Sequence, residues 1–143
     1  KETLEIFECL DEFSDTQNFC DHYGFDIQDS CNAILIKAKK PEEYYAMFCV
    51  LGANRLDVNH KAKAAMGAKR VSFASTEEAE KVTGQIYGGI SPLGLSENIR
   101  VYVDENVIDR EKLFIGAGNR VSKFFLSPET LIQLSSATVM DLT

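Results

Sequence analysis

The side chains of this sequence offer little for nucleophilic or metal chemistry. Its histidines are His22 and His60, and its cysteines, Cys9, Cys20, Cys31 and Cys49, have no C-x-x-C spacing, so no zinc set is expected. Reduced thiols are expected instead, as in a cytosolic protein. Chemistry is better sought in the backbone. The run Thr83-Gly84-Gln85-Ile86-Tyr87-Gly88-Gly89-Ile90-Ser91-Pro92 places three glycines and a proline within ten residues, a composition that weakens any helix or strand interior. Gly88 and Gly89 lack a Cβ, so a ligand can lie against their peptide planes while their N–H groups face a carbonyl or phosphate oxygen. Such fixed donors stabilise the negative charge that develops on a carbonyl oxygen during ester hydrolysis. Pro92 stiffens the far side of the loop. Thr83 and Ser91 add hydroxyls without a histidine partner, which disfavours a Ser–His nucleophile. They would hold the loop or bind a substrate hydroxyl. A plain helix-to-strand turn is the competing reading.

The elements that must carry this loop can be read from periodicity and capping. Leu4, Phe7 and Leu10 are spaced for a helix over 2–13. Ser14 and Gln17 form a capping-box pattern for a second helix, ending at Gly24. Residues 33–38 and 45–51 read as strands around a Pro41-Glu42-Glu43 turn. Asp57 caps a helix closed by Gly67, and 70–73 reads as a strand. Ser75 and Glu78 form a capping box for the helix that delivers the chain to Thr83. Residues 99–103, 113–115 and 122–126 are further strands. Pro128 opens a last helix behind Ser127, and Val139-Met140 suits an edge strand. Strands and helices do not alternate strictly, which points to a mixed α/β sheet.

At 143 residues the chain is expected to form one domain, 1–143, with a helical part over 1–30 and a core over 31–143. It opens on Lys1 instead of Met, and the expectation is that residues have been trimmed ahead of it. No secretory pattern and no apolar run of about 20 residues is present, so a cytoplasmic location without membrane contact is expected. The net charge of -7 argues against duplex DNA as a partner. It leaves open the holding of one nucleic-acid end in a pocket. Lys37, Lys39 and Lys40, and the group His60, Lys61, Lys63, Lys69 and Arg70, read as solvated faces.

The run Thr-Gly-x-x-x-Gly-Gly-Ile-Ser-Pro-Leu-Gly, with Arg55-Leu56-Asp57, Met66-Gly67-Ala68-Lys69-Arg70-Val71, Val101-Tyr102-Val103-Asp104, Ile115-Gly116-Ala117-Gly118-Asn119-Arg120 and Leu126-Ser127-Pro128, resembles the YbaK / prolyl-tRNA synthetase-associated editing domain family. The resemblance covers about residue 31 to the C-terminus. It implies a mixed, partly closed β-barrel flanked by helices, and hydrolysis of wrongly charged aminoacyl-tRNA without a cofactor. It gives Gly88 and Gly89 the role of oxyanion donors. It also implies a lysine at the start of the first core strand, where this chain has Asn32. Asn is neutral but both donates and accepts, so it could orient a ribose hydroxyl or a water without supplying charge. A strand-entry cap is the competing role. Lys37 falls on the opposite strand face.

Asp104 could bind a substrate amino group or end its strand in a turn. Gly116 and Gly118 would form a pocket wall or a simple hairpin. The expected substrate-binding set is Thr83, Gly84, Ser91, Pro92, Asp104, Gly116 and Gly118, and Asn32, Gly88, Gly89 and Asp104 are expected to share one pocket. The partners implied are the 3′ end of an aminoacyl-tRNA and an aminoacyl-tRNA synthetase. An aminoacyl ester is already activated and carries a neighbouring 2′-hydroxyl, so a site that positions water and the carbonyl suffices. Two functions remain open: a trans-acting deacylase, favoured by the glycine loop, and a binding module that has lost catalysis, favoured by Asn32.

Overall fold

The computed structural model describes residues 4–143. The chain runs β1 (Glu5–Glu8), α1 (Thr16–Tyr23), β2 (Cys31–Lys40), β3 (Tyr44–Leu51), a π turn (Val58–Ala62) leading into α2 (Lys63–Met66), β4 (Arg70–Phe73), α3 (Thr76–Thr83), β5 (Arg100–Asp104), β6 (Leu113–Gly116), β7 (Ser122–Leu126), α4 (Pro128–Ser135) and β8 (Thr138–Met140). Two sheets form, ordered β1-β7-β6 and β4-β2-β3-β5-β8. The larger is mixed: β2 is antiparallel to β3 and β4, while β3–β5 and β5–β8 are parallel. A single parallel bridge, Ser30 to Phe114, joins the sheets without closing them into a barrel.

Alternation along β2 and β3 buries both faces of the larger sheet. Leu35, Met47, Cys49 and Val103 pack toward Leu113, Ile115, Leu126 and Leu131. Ile36, Phe48 and Val50 pack toward Leu56, Ala62, Met66 and Leu142. Fully burying a side chain of this size contributes about 1.5–3 kcal/mol.

The N-terminal expectations need two corrections. Residues 2 and 3 of the expected first helix lie outside the described residues. The remainder is β1 and a 3-10 turn, Asp11–Phe13. Helical spacing would have put Leu4, Phe7 and Leu10 on one buried face. Instead only Phe7 packs inward, edge-on to Phe19, Tyr23 and Phe25, while Leu4 and Leu10 are exposed. Antiparallel pairing with β7 overrides the local pattern. Helix α1 is capped by Asp15, which accepts from Asn18 N at 3.2 Å, and not by Ser14, which is buried. Gln17 bonds Asp21 instead of reaching back.

The capping box on α3 forms as expected, with Ser75 and Glu78 bonding each other's backbone N–H. Glu78 also accepts from Lys37 at 2.6 Å and from Tyr45 at 3.2 Å, which ties α3 to the larger sheet. The Lys37 bond, then the Ser75 amide, hold the Glu78 carboxyl at about 2 against an ordinary 4.5. A depressed carboxyl stabilises the fold above its unfolded value, and this contribution is lost as pH falls from 4.5 toward 2. Glu78→Gln is expected to remove that part of the acid dependence of the melting temperature. Thermal unfolding followed by circular dichroism checks it, and identical acid profiles for the two proteins would refute the assignment.

Candidate active site

Strand β2 pairs with β3 from Cys31 onward, but β4 covers its other edge only from Ile36. A cavity of about 280 Å³ lies against the uncovered stretch, lined by Cys31 and Asn32 of β2, Gly88 and Gly89 of the glycine loop, and Gly116 of β6. Three segments distant in sequence therefore meet here, and each is held by a different element. Asn32 is exposed at the start of β2, opposite Val50 of β3.

The glycines fit the loops to one another. Ile86 N–H donates to Gly118 O at 3.0 Å, and Gly118 N–H donates to Gly89 O at 2.6 Å. A Cβ on Gly89 would fall 1.9 Å from the carbonyl oxygen of Asn119. One on Gly116 would fall 2.4 Å from Ile90 O and 2.6 Å from Gly89 O. The 86–90 and 116–119 segments thus touch backbone to backbone with no room for a methyl group.

This clasp divides the two expected oxyanion donors. The N–H of Gly89 is engaged with Ile86 O at 3.0 Å. The N–H groups on either side of Gly88 are also engaged, Tyr87 N with Glu80 at 2.9 Å and Gly89 N as described. Among the described residues, Gly88 N–H meets no protein acceptor, and Gly88 is exposed where Gly89 is buried. Its φ of +95° is open to glycine at little cost.

Several expected binding residues sit elsewhere. Thr83 donates to Ala79 O at 2.6 Å and accepts from Gln85 N at 3.1 Å. Ser91 accepts from Leu93 N at 3.2 Å, and its own N–H goes to the Gln85 side chain. Both hydroxyls are engaged in loop shape. Gly84, in the left-handed region at φ +71°, ends α3. Thr83, Gly84, Ser91 and Gly118 line a separate surface hollow beside Leu93 and Phe124, and Pro92 lines another beside Leu95 and Arg100. Asp104 is fully buried and does not reach the cavity. Its carboxylate accepts from Leu142 N at 2.8 Å and from Asn106 Nδ2 at 3.0 Å. Asp104 thus ties β5 to the C-terminal segment.

Cys31 is buried in the cavity wall. The neighbouring Cys31 thiol, with full burial, pushes the Cys49 thiol well above its ordinary value. Burial likewise raises Cys9 and Cys20. Among the described residues, no group of three or more His, Cys, Asp or Glu could hold a metal ion. No helix among them is long and apolar enough to cross a membrane.

Among the lining residues that escaped the sequence reading are Thr16, the first residue of α1, and Lys123 of β7. The only signal for Lys123 was its register. It shares a strand face with Phe125 and so points inward despite its charge.

A mixed two-sheet fold with a glycine-walled cavity at an uncovered strand edge defines the class. The family model for the aminoacyl-tRNA editing domain matches residues 11–134, and the chain belongs to that family. A protein of Enterococcus faecalis named for deacylation of Cys-tRNA(Pro) and Cys-tRNA(Cys), EbsC, is 30% identical over 92 residues, 64% of this chain and 56% of that protein. A proline–tRNA ligase of Nautilia profundicola is 32% identical over 106 residues, 73% of this chain but 18% of the ligase. The chain thus spans about half of the Enterococcus protein and a small part of the ligase. A solved structure described as a trans-editing enzyme for prolyl-tRNA synthetase superposes with a TM-score of 0.86 at 24% identity, over 98% of this chain and 86% of that one. The structure of hypothetical protein APE2540 gives 0.87 at 22%, over 98% and 91%. At these identities the likeness carries the fold.

Proposed function

We propose that this chain is a trans-acting deacylase that hydrolyses the ester of a wrongly charged aminoacyl-tRNA, taking its 3′ end into the cavity between β2 and the glycine loop. The observation that carries this reading is the Gly88 N–H. It is a fixed backbone donor without an acceptor among the described residues, at the wall of a cavity that also holds Asn32. The donor would stabilise the oxyanion of the tetrahedral intermediate. Asn32 would orient the attacking water or the ribose hydroxyl through its amide. The terminal 2′-hydroxyl would assist from the substrate side, so no histidine is required.

Recognition of a tRNA end, and not its body, suits the electrostatics. Lys37, Lys61, Arg110, Lys112 and Arg120 are each paired with a carboxylate on the protein itself, and the net charge of -7 disfavours phosphate contacts along a duplex. Family membership supports action beside an aminoacyl-tRNA synthetase, and a cavity of about 280 Å³ suits a small acyl group. The testing experiment is a deacylation screen with tRNAs mischarged with alanine, serine or cysteine, beside correctly charged controls. Hydrolysis of at least one supports the reading. Binding without hydrolysis of any would replace it with a binding module, the function favoured by the loss of a cation at position 32.

Asn32 provides a second measurement. Asn32→Ala is expected to lower kcat about tenfold by removing an orienting hydrogen bond. Asn32→Lys is expected to lower it as well, because Lys123 already brings a cation to the same cavity. Single-turnover deacylation checks both. A rise in activity with Asn32→Lys would mean that the cavity lacks a cation it needs.

A further inference from the structure

Lys123 is the one basic side chain among the lining residues, and the cavity wall holds no Asp, Glu or Arg. It is 5% exposed. Its ammonium donates to Ser14 O at 2.8 Å and stands 5.3 Å from the centroid of the Phe19 ring. An ammonium has three donors, and Ser14 O takes one. No carboxylate lies within ion-pair reach of it among the described residues. Nearby Asp11 is engaged by Arg120 at 2.8 Å, and Asp15 caps α1. Burial lowers the Lys123 pKa from the ordinary lysine value. A buried cation without a counter-ion is costly, and a methionine would fill the same space without that cost. Two further features lie beside it. The N-terminus of the eight-residue helix α1 presents Thr16 to the cavity, and helix N-termini favour anions. The buried Ser14 hydroxyl has no hydrogen-bond partner among the described residues.

On an aminoacyl-tRNA end the α-amino group is cationic, and the anionic oxygens belong to the phosphodiester or to an acidic acyl side chain. We propose that Lys123 and the first turn of α1 form an anion-binding subsite of this cavity. The subsite takes an anionic oxygen of the bound end, from the phosphodiester on the 5′ side of the terminal nucleoside or from a carboxylate on the acyl group. The assignment rests on the deacylase reading for the ligand's identity, but not for the subsite's existence.

Calorimetric titration of the full chain with adenosine and adenosine 5′-monophosphate tests it, beside 3′-amide analogues of adenosine bearing aspartyl or asparaginyl groups and no phosphate. If the phosphodiester is the source, the monophosphate binds about tenfold tighter than adenosine. Lys123→Met then removes that difference while leaving adenosine affinity unchanged, and Lys123→Arg keeps part of it. If the acyl carboxylate is the source, the same pattern separates the aspartyl from the asparaginyl analogue. Equal loss toward charged and neutral probes in Lys123→Met would make Lys123 a structural tie to Ser14 and overturn the subsite. A wild-type protein that prefers neither anionic probe overturns it without any variant, so a Lys123→Met chain that fails to fold leaves the test intact. A Lys123-dependent preference for the monophosphate in a protein that hydrolyses no mischarged tRNA would sink the deacylase reading alone. Hydrolysis with no anion preference would sink the subsite alone.

Discussion

Gly89→Ala is expected to cost this protein about 10²-fold in deacylation and to lower its stability markedly. The cause is steric. The new methyl group would stand 1.9 Å from Asn119 O and 2.5 Å from Asn119 C, both backbone atoms that cannot rotate away. Relief requires the 86–90 and 116–119 segments to part, which breaks the Gly118 N–H to Gly89 O bond. Overpacking of this kind costs about 1–3 kcal/mol or more, and a displacement of about 1 Å at a reacting centre can cost about 10²-fold in rate. Gly116→Ala meets the same loop from the other side and should behave alike. Gly94→Ala is the control. Its φ is +73° but nothing lies within 4 Å of its Cβ position, so it should cost about 1–2 kcal/mol of backbone strain with activity retained. Melting curves and single-turnover rates on the three variants check the ranking. Equal activity losses at Gly89 and Gly94 would refute the clasp as the source of the effect.

Removing the Gly88 N–H is expected to lower kcat by about 10²–10³ with KM little changed, the signature of an interaction made in the transition state. Proline would delete this donor but would also force φ from +95° to about −65°. A backbone ester in place of the amide, introduced by semisynthesis, removes the hydrogen and keeps the torsion. Gly88→Ala retains the N–H, and its Cβ would meet the movable end of the Arg120 side chain at 2.4 Å. It should therefore fall well short of the ester's effect. An ester variant with wild-type kcat would mean that another group holds the oxyanion.

Much of this arrangement was legible in the residues. The Ser75–Glu78 box, the Gly67 helix end and Pro128 behind Ser127 appear where local chemistry put them, because each depends on neighbours within four residues. The motifs were expected to bring Asn32, Gly88, Gly89 and Asp104 together; the first three line one cavity, and Asp104 is buried away from it. What stayed hidden depends on partners far along the chain. Leu4, Phe7 and Leu10 imitate a helix because nothing nearby reveals the pairing of β1 with β7. Asp104 resembled a ligand-binding carboxylate because its acceptor role toward Leu142, 38 residues on, leaves no local mark. Lys123 was passed over because a lysine is ordinarily a surface residue. The division of labour between Gly88 and Gly89 needed hydrogen-bond directions that no residue pattern encodes.

The pairing of β1 with β7 has a consequence for synthesis on the ribosome. Glu5 stands opposite Phe125, and the smaller sheet has β7 at its centre. The aromatic packing of Phe7 and Phe19 against Phe114 and Phe125 likewise joins the first and last thirds of the chain. Strands β2 to β4 pair locally and can form an early hairpin-based intermediate. The wall that holds Gly116 and Lys123 cannot follow until residue 126 has cleared the exit tunnel, since β6 and β1 both depend on β7. A nascent chain therefore carries Phe7 without its Phe125 partner until β7 has been made. The cavity wall is therefore completed late, when β1 and β7 meet.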